Sequence, residues 1–385
     1  MTDTDRENAS GERRPAGPET HEAGDDAVIG VALRRSLLVM AFVAGAGLLL
    51  WSLSRPDADP EPVAERTLVA PAPLPQPAAT ALPTLPFVDV TAAAGIGFEH
   101  DNGADGERLL PETMGGGVAF ADFDGDRRPD LLFVDSGPWP WSERPARPTA
   151  AVLYRNAGDG RFEDITEGAG LGPGLYGQGV ATGDFDADGR PDLFITAVGP
   201  NRLYRNLGGG RFEDVTAAAG VAGAPDAWST SAAFLDYDRD GDLDLFVLNY
   251  VEWSRELDFE VDYRLAGIGR AYGPPTNFPG THAWLYRNDD GRYTDVSAEA
   301  GVQVANPATG EPAGKGLALR VDDPDDDGWP DVIVANDTVR NFFFRNREGR
   351  FEESGIATGI AFDNSGGATG AMGIDAAHGG ADGRY

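Results

Sequence analysis

The stretch DFDADGRPD at 184–192 sets Asp184, Asp186, Asp188 and Asp192 at the first, third, fifth and ninth positions of a loop. The same spacing recurs as DFDGDRRPD (Asp122, Asp124, Asp126, Asp130), DYDRDGDLD (Asp236, Asp238, Asp240, Asp244) and DPDDDGWPD (Asp323, Asp325, Asp327, Asp331). A tight loop with this spacing aims alternate carboxylates at one point. That suits a hard cation taking six to eight oxygen ligands, so the spacing predicts about four Ca2+ sites. The seventh residue of each loop, Arg128, Arg190, Asp242 or Trp329, can add a backbone carbonyl. Gly189, Gly241 and Gly328 at position six permit a left-handed turn, and Arg127 stands there in the first copy. On that ground the first site is expected to be the most strained and the weakest. A run of Asp is more often a solvated acidic face. Four copies, each followed by an apolar strand-like run, argue for ligation. They are not EF-hands, because the last acid comes at position nine rather than twelve and no long amphipathic helices flank the loops.

Outward from the loops, a second pattern repeats. LYRNAGDGRFEDITEGAGL at 153–171 returns as LYRNLGGGRFEDVTAAAGV at 203–221, LYRNDDGRYTDVSAEAGV at 285–302 and, degraded, FFRNREGRFEESGIATGI at 343–360. One unit therefore holds four strand candidates: one into the loop, one out of it, one carrying LYRN and one carrying RFEDIT. Turn-rich units of about 50–60 residues with four antiparallel strands read as blades, so the fold class is all-β, a β-propeller of four-stranded blades. The loop is then the hairpin joining the first two strands of each blade. FVDVTAAAGIGFEH at 87–100 matches the fourth strand and its tail, and is expected to be a strand that closes a ring. A fifth unit begins near 369, but His378 and Gly380 take the first two Asp positions of its loop. About four full blades plus a stub are expected, as a fragment or as a ring that a partner completes. Residues 250–284 are an aromatic, Gly- and Pro-rich insertion in the third unit, read equally as a binding element or as a packed cap.

The chain has 385 residues and a net charge of -32, of which the sixteen loop aspartates match half in number. Four calcium ions would return eight positive charges. Such acidity excludes a nucleic-acid partner, whose binders carry basic patches. With no Cys, disulfides and Cys-based zinc sites are excluded as well. Residues 1–33 read as a polar disordered tail in the cytoplasm. SLLVMAFVAGAGLLLWSL at 36–53, preceded by Arg34 and Arg35, reads as a transmembrane signal-anchor over 34–53. Five Arg before it and few after place the later residues outside the cytoplasm. A cleaved export signal, giving a secreted product, is the alternative. A Pro/Ala-rich linker follows at 54–86, and the propeller is assigned to 87–385.

These motifs resemble the FG-GAP/VCBS repeats of integrin alpha-subunit propellers and bacterial surface proteins. LPETMGGGVAFADFDGD at 110–126, the LYRN…GRFEDVT…AG unit, NYVEW at 249–253 and TGAMGID at 369–375 are similar to the ASPIC/UnbV group, which includes the cartilage acidic protein family. The resemblance covers about 87–385 and implies a calcium-binding propeller outside the cytoplasm with adhesion or protein-binding roles. Members of that group usually continue into further repeats and a C-terminal ASPIC/UnbV domain.

No residue pattern points to catalysis. The four His (His21, His100, His282, His378) form no HExxH pair, and there is no GxSxG elbow. Gly172, Gly174 and Gly177 spell GxGxxG but precede a strand. His100 beside Asp101 is read as a surface residue rather than a general base. The expected function is a membrane-anchored module binding a protein or glycan. An exported propeller enzyme acting on polysaccharide or a small molecule at the ring axis is the second reading.

Overall fold

The computed structural model of the protein describes residues 25–53 and 87–376. The linker at 54–86, residues 1–24 and the loop expected after 376 lie outside them. The chain divides into two units, Met1–Leu85 and Pro86–Tyr385. In the first, one helix, α1 (Asp25–Leu53), takes in the residues expected to form an anchor. It starts inside the stretch read as a polar tail. Its apolar side chains, Leu37, Leu38, Val39, Met40, Phe42 and Val43 among them, are exposed. Among the described residues, no helix is long and apolar enough to cross a membrane.

The described residues of the second unit form four antiparallel four-stranded meanders. The first blade is β1 (Val118–Ala121), β2 (Asp130–Val134), β3 (Ala151–Gly158) and β4 (Arg161–Asp164). The second is β5 (Tyr176–Gly183), β6 (Asp192–Val198), β7 (Arg202–Asn206) and β8 (Phe212–Asp214). The third is β9 (Ser229–Leu235), β10 (Asp244–Asn249), β13 (Trp284–Asp289) and β14 (Arg292–Asp295), and a small hairpin, β11 (Arg264–Leu265) with β12 (Gly269–Arg270), interrupts it. The fourth is β15 (Gly316–Asp322), β16 (Asp331–Asn336), β17 (Phe342–Asn346) and β18 (Phe351–Glu353). Short helices α2 (Thr216–Ala219), α4 (Ser297–Ala300) and α5 (Gly355–Thr358) follow the fourth strands, and α3 (Arg255–Val261) belongs to the insertion.

Why these letters recur is visible in how neighbouring blades meet. The second strands, DLFITAV and DLFVLN, carry apolar residues on both faces because both faces are covered, so β6 and β10 are buried almost end to end. The aromatic residue at position two of the first three loops packs on the aromatic residue of the next blade's fourth strand. Phe123 meets Phe212 at 5.7 Å, Phe185 meets Tyr293 at 6.3 Å and Tyr237 meets Phe351 at 6.2 Å. The LYRN asparagine of each later blade donates its amide to the same position-two carbonyl: Asn206 to Phe123 (3.1 Å), Asn288 to Phe185 (2.9 Å), Asn346 to Tyr237 (2.7 Å). Repulsion between blades is avoided at the inner strands by small residues. A Cβ on Gly117 would lie 2.8 Å from the Val180 nitrogen, so β1 approaches β5 only with glycine there.

Residues 87–100 do not form the closing strand that the repeat suggests. The AAAGI segment instead takes the place of a preceding blade's tail: Ala94 accepts from the Phe162 N–H (2.7 Å), as Ala169 accepts from Phe212 (2.7 Å). Phe98 then stacks on Phe133 at 4.6 Å. A fourth strand forms only where a third offers it hydrogen bonds, and among the described residues no third strand pairs with 87–100. Among the described residues the four sheets close no ring. Val118 and Phe120 on β1 stay exposed, Phe120 at 63%. The start of the fifth unit contributes one bridge, Asp337 to Gly370, and an ion pair from Asp375 to Arg320 (3.3 Å).

Candidate metal centres

In every blade the ninth loop residue opens the second strand, opposite the last residue of the first: Ala121 faces Asp130, Gly183 faces Asp192, Leu235 faces Asp244 and Asp322 faces Asp331. That aspartate is fully buried in all four blades. Backbone donors explain how the carboxylates are tolerated. Asp122 accepts from the N–H groups of Gly125 (2.8 Å), Asp126 (3.0 Å) and Arg127 (2.7 Å), and Asp184 accepts in the same way from Asp188 (2.9 Å) and Gly189 (2.8 Å). Asp130 ties the loop to the third strand, taking the Phe123 N–H on Oδ2 (3.0 Å) and the Asn156 N–H on Oδ1 (2.8 Å). Asp192 and Asp244 repeat this with Phe185 and Asn206, and with Tyr237 and Asn288.

Carboxylate oxygens gather within 4.8 Å of one another in four groups: Asp122/Asp124/Asp130, Asp184/Asp186/Asp192, Asp236/Asp238/Asp244 and Asp323/Asp325/Asp327. Of the sixteen expected acids, Asp126, Asp188, Asp240 and Asp331 stand outside these groups. Arg128 and Arg190, proposed from sequence as carbonyl ligands, turn their guanidinium groups onto Asp126 and Asp188. The backbone N–H groups of Arg128, Arg190, Asp242 and Trp329 donate to the position-five acid at 2.9–3.0 Å. Strain is not confined to the first loop. Position six is left-handed in all four (Arg127 φ 67°, Gly189 86°, Gly241 101°, Gly328 83°), and so is position four (Gly125 85°, Ala187 55°, Arg239 62°, Asp326 58°). Each loop thus has one glycine and one residue with a side chain at these two strained positions, and Arg127 is offset by Gly125.

The donor set fits a hard divalent cation. It is made of oxygen alone, and several of its atoms lack a partner: Asp186 Oδ1, Asp236 Oδ1 and Asp238 Oδ1 are buried without a hydrogen bond, as is Oδ2 of Asp331 beside the fourth group. Burial, reinforced by the neighbouring acids, pushes the carboxyls of Asp192 and Asp244 up to about 7 and that of Asp331 up to about 6. A bound cation would reverse that shift by compensating the crowded charge. Aspartates in four equivalent hairpins make a repeated structural device.

A different surface lies at the far ends of the second strands, roughly 20 Å from the loops at 3.3 Å per residue. There the insertion packs back on the first blade's entry segment. Ser254 caps α3, accepting from Leu257 (3.1 Å). Asp258, buried, accepts from the Leu110 N–H (2.8 Å) and the Trp253 indole (2.8 Å) and pairs with Arg270 (2.7 Å). Glu112 accepts from Trp139 and Tyr272, both at 3.2 Å. Trp139 stacks on Tyr176 (3.7 Å), Trp141 (4.8 Å) and Trp253 (5.3 Å). Beside this stack lie two cavities of about 460 and 590 Å3 that share Asp226, Trp253 and Ser254. The insertion is therefore both a packed cap and one wall of a groove. Sequence reading missed the other wall, although its signal, WPW at 139–141, stood in the chain. His100 bonds to Asp135 (3.1 Å) rather than to its neighbour Asp101, and this hydrogen bond raises its pKa.

The FG-GAP-like repeat family matches residues 122–195 and 184–247, a range that takes in the first three loops. Over 189 residues, 48% of this chain, the sequence is 28% identical to human Cartilage acidic protein 1 (Homo sapiens); the match spans 24% of that relative's length. Among solved structures, a lectin of Agrocybe aegerita, described in terms of recognition of non-reducing terminal N-acetylglucosamine, overlaps 60% of this chain and 49% of its own at 16% identity and a TM-score of 0.35. An auxiliary nutrient binding protein of Bacteroides ovatus overlaps 64% of this chain and 50% of its own at 10% identity and the same TM-score, 0.35. The chain carries FG-GAP-like repeats, and its similarity to Cartilage acidic protein 1 supports the ASPIC/UnbV resemblance.

Proposed function

We propose that the protein is a calcium-stabilised interaction module held at a membrane by its N-terminal helix. On this reading the blades stand on the extracytoplasmic side, and a protein or glycan partner binds the aromatic groove. The observation that carries the metal part is the set of buried, unpartnered carboxylate oxygens in the repeated loops. Calcium would supply charge compensation there, tying each first-to-second-strand hairpin shut. Support for the binding part is the groove itself: indole N–H groups are spent on Glu112, Glu107 and Asp258, which fixes the rings, while Trp141 remains 41% exposed. Rigid aromatic side chains ordered in advance lose little entropy when a partner stacks on them.

The test is binding of the full chain, in detergent micelles, to glycan and protein arrays with calcium and with chelator. Calcium-dependent binding that Trp141→Ala removes, with the melting temperature unchanged, supports the reading. Unchanged binding by that variant would move the partner site elsewhere, and a fold indifferent to calcium would end the metal reading.

A further inference from the structure

The aromatic face already holds two arginines of this chain, and it holds both in the same way. Arg255 lies over the ring of Trp141 (5.1 Å) while its Nε donates to Glu107 (2.9 Å). Arg270 lies over Phe259 (4.5 Å) while it pairs with Asp258 (2.7 Å). A ring face and a carboxylate together suit a guanidinium because it is flat, weakly hydrated and rich in N–H donors. The larger of the two cavities on this face, about 590 Å3, offers the same two kinds of group with no arginine in its wall. Trp253 and Trp284 line it, together with Asp226 and Glu252, both exposed. Neither of these carboxylates makes a hydrogen bond or an ion pair among the described residues.

We propose that this groove receives an arginine side chain of a partner protein, with the guanidinium against the indoles and paired with Asp226 and Glu252. The inference rests on the groove reading above and chooses a protein over a glycan. What decides between the two is the balance of donors and acceptors. The indole N–H groups of Trp139, Trp141, Trp228 and Trp253 are spent on Glu112 (3.2 Å), Glu107 (3.1 Å), Gln178 (3.1 Å) and Asp258 (2.8 Å). Two arginines line the smaller cavity, and both are engaged. Arg255 is held by Glu107, and Arg202 donates to the Pro173 carbonyl (2.6 Å) and the Tyr204 hydroxyl (3.2 Å). His282 lines the larger cavity, and burial lowers its pKa, so it adds no charge at neutral pH. The walls thus keep open acceptors and have spent most of their donors. A sugar hydroxyl both gives and takes hydrogen bonds, whereas a guanidinium only gives, through five N–H groups, and brings the charge that the two carboxylates lack. Asp226 lines both cavities, so a partner chain crossing from one to the other passes it. The net charge of -32 draws a basic partner in from a distance.

The experiment is fluorescence anisotropy of a labelled Gly/Ser peptide carrying Arg, titrated with the full chain in detergent micelles and saturating calcium. The same peptide with citrulline, uncharged and of nearly equal shape, and a neutral glucose oligosaccharide are titrated beside it. Citrulline should weaken binding about tenfold, and Asp226→Asn and Glu252→Gln should each do the same, the effect of one hydrogen bond between charged groups. Both residues are exposed, so the melting temperature should not move. Glu167→Gln removes an exposed acid of the first blade that lines neither cavity, and should leave the affinity as it is. That control separates a seat for arginine from the pull of the overall charge. If the arginine peptide does not bind, if citrulline matches it, or if Glu167→Gln weakens binding as much as Asp226→Asn, the inference is wrong. The groove reading survives that result when the oligosaccharide, or a partner on the arrays, still needs Trp141. If no ligand depends on Trp141 either, both fall.

Discussion

Replacing Asn206 with alanine measures how much one blade contributes to holding its neighbour. Its side chain is fully buried, donates to the carbonyls of Phe123 (3.1 Å) in the preceding blade and Pro191 (2.9 Å) in its own, and accepts from the Gly208 N–H (2.8 Å). Asn156 is the same residue of the first blade's LYRN. It keeps the bonds within its own blade, to Pro129 (2.9 Å) and from Gly158 (3.0 Å), and no bond to a preceding blade is formed among the described residues. Each buried group left without a partner costs about 1–3 kcal/mol. Asn206→Ala should therefore destabilise by about 3–5 kcal/mol and Asn156→Ala by about 1–3 kcal/mol, the difference being the bond between blades together with the deeper burial. Urea unfolding of the full chain in saturating calcium, followed by Trp fluorescence, gives both values. Equal destabilisation by the two variants would refute the reasoning, because the amide would then act only within its own sheet.

Folded Asp192 and Asp244 titrate near 7, well above the ordinary carboxyl range of about 4, so without calcium they add stability at low pH that disappears as pH rises through 7. The calcium-free protein should melt higher at pH 5 than at pH 8, and calorimetry in buffers of different ionisation heat should show protons released on calcium binding at pH 6.5. Gly117→Ala puts a methyl 2.8 Å from the Val180 nitrogen and is expected to lower the melting temperature by several degrees, through strain of about 1–3 kcal/mol between β1 and β5. Asp258→Asn should raise hydrogen exchange in 250–283 and 105–112 together while β6 stays protected, since that carboxylate joins the insertion to Leu110, Trp253 and Arg270.

Much of the blade was legible in one dimension because each repeat forms its strands and its loop from its own residues. The 1-3-5-9 spacing of Asp located every hairpin, and LYRN and RFED located the third and fourth strands. Local pattern also sufficed for the apolar second strands, whose unbroken hydrophobic runs reflect cover on both faces. Three features needed the assembled chain. Which acids converge depends on what else can reach them: Arg128 and Arg190 divert Asp126 and Asp188. The tail of 87–100 reads as a strand by its letters, but a strand exists only where another offers it hydrogen bonds. The groove joins Trp139 and Trp141 from the first blade to Trp253 from the third, contacts across more than a hundred residues that no periodicity records. Sequence by itself determined the repeat, the hairpins and the oxygen-rich loops, because these follow from neighbours along the chain. Tertiary structure decided the ligand groups and the aromatic wall, because burial and hydrogen-bond competition are set by neighbours in space.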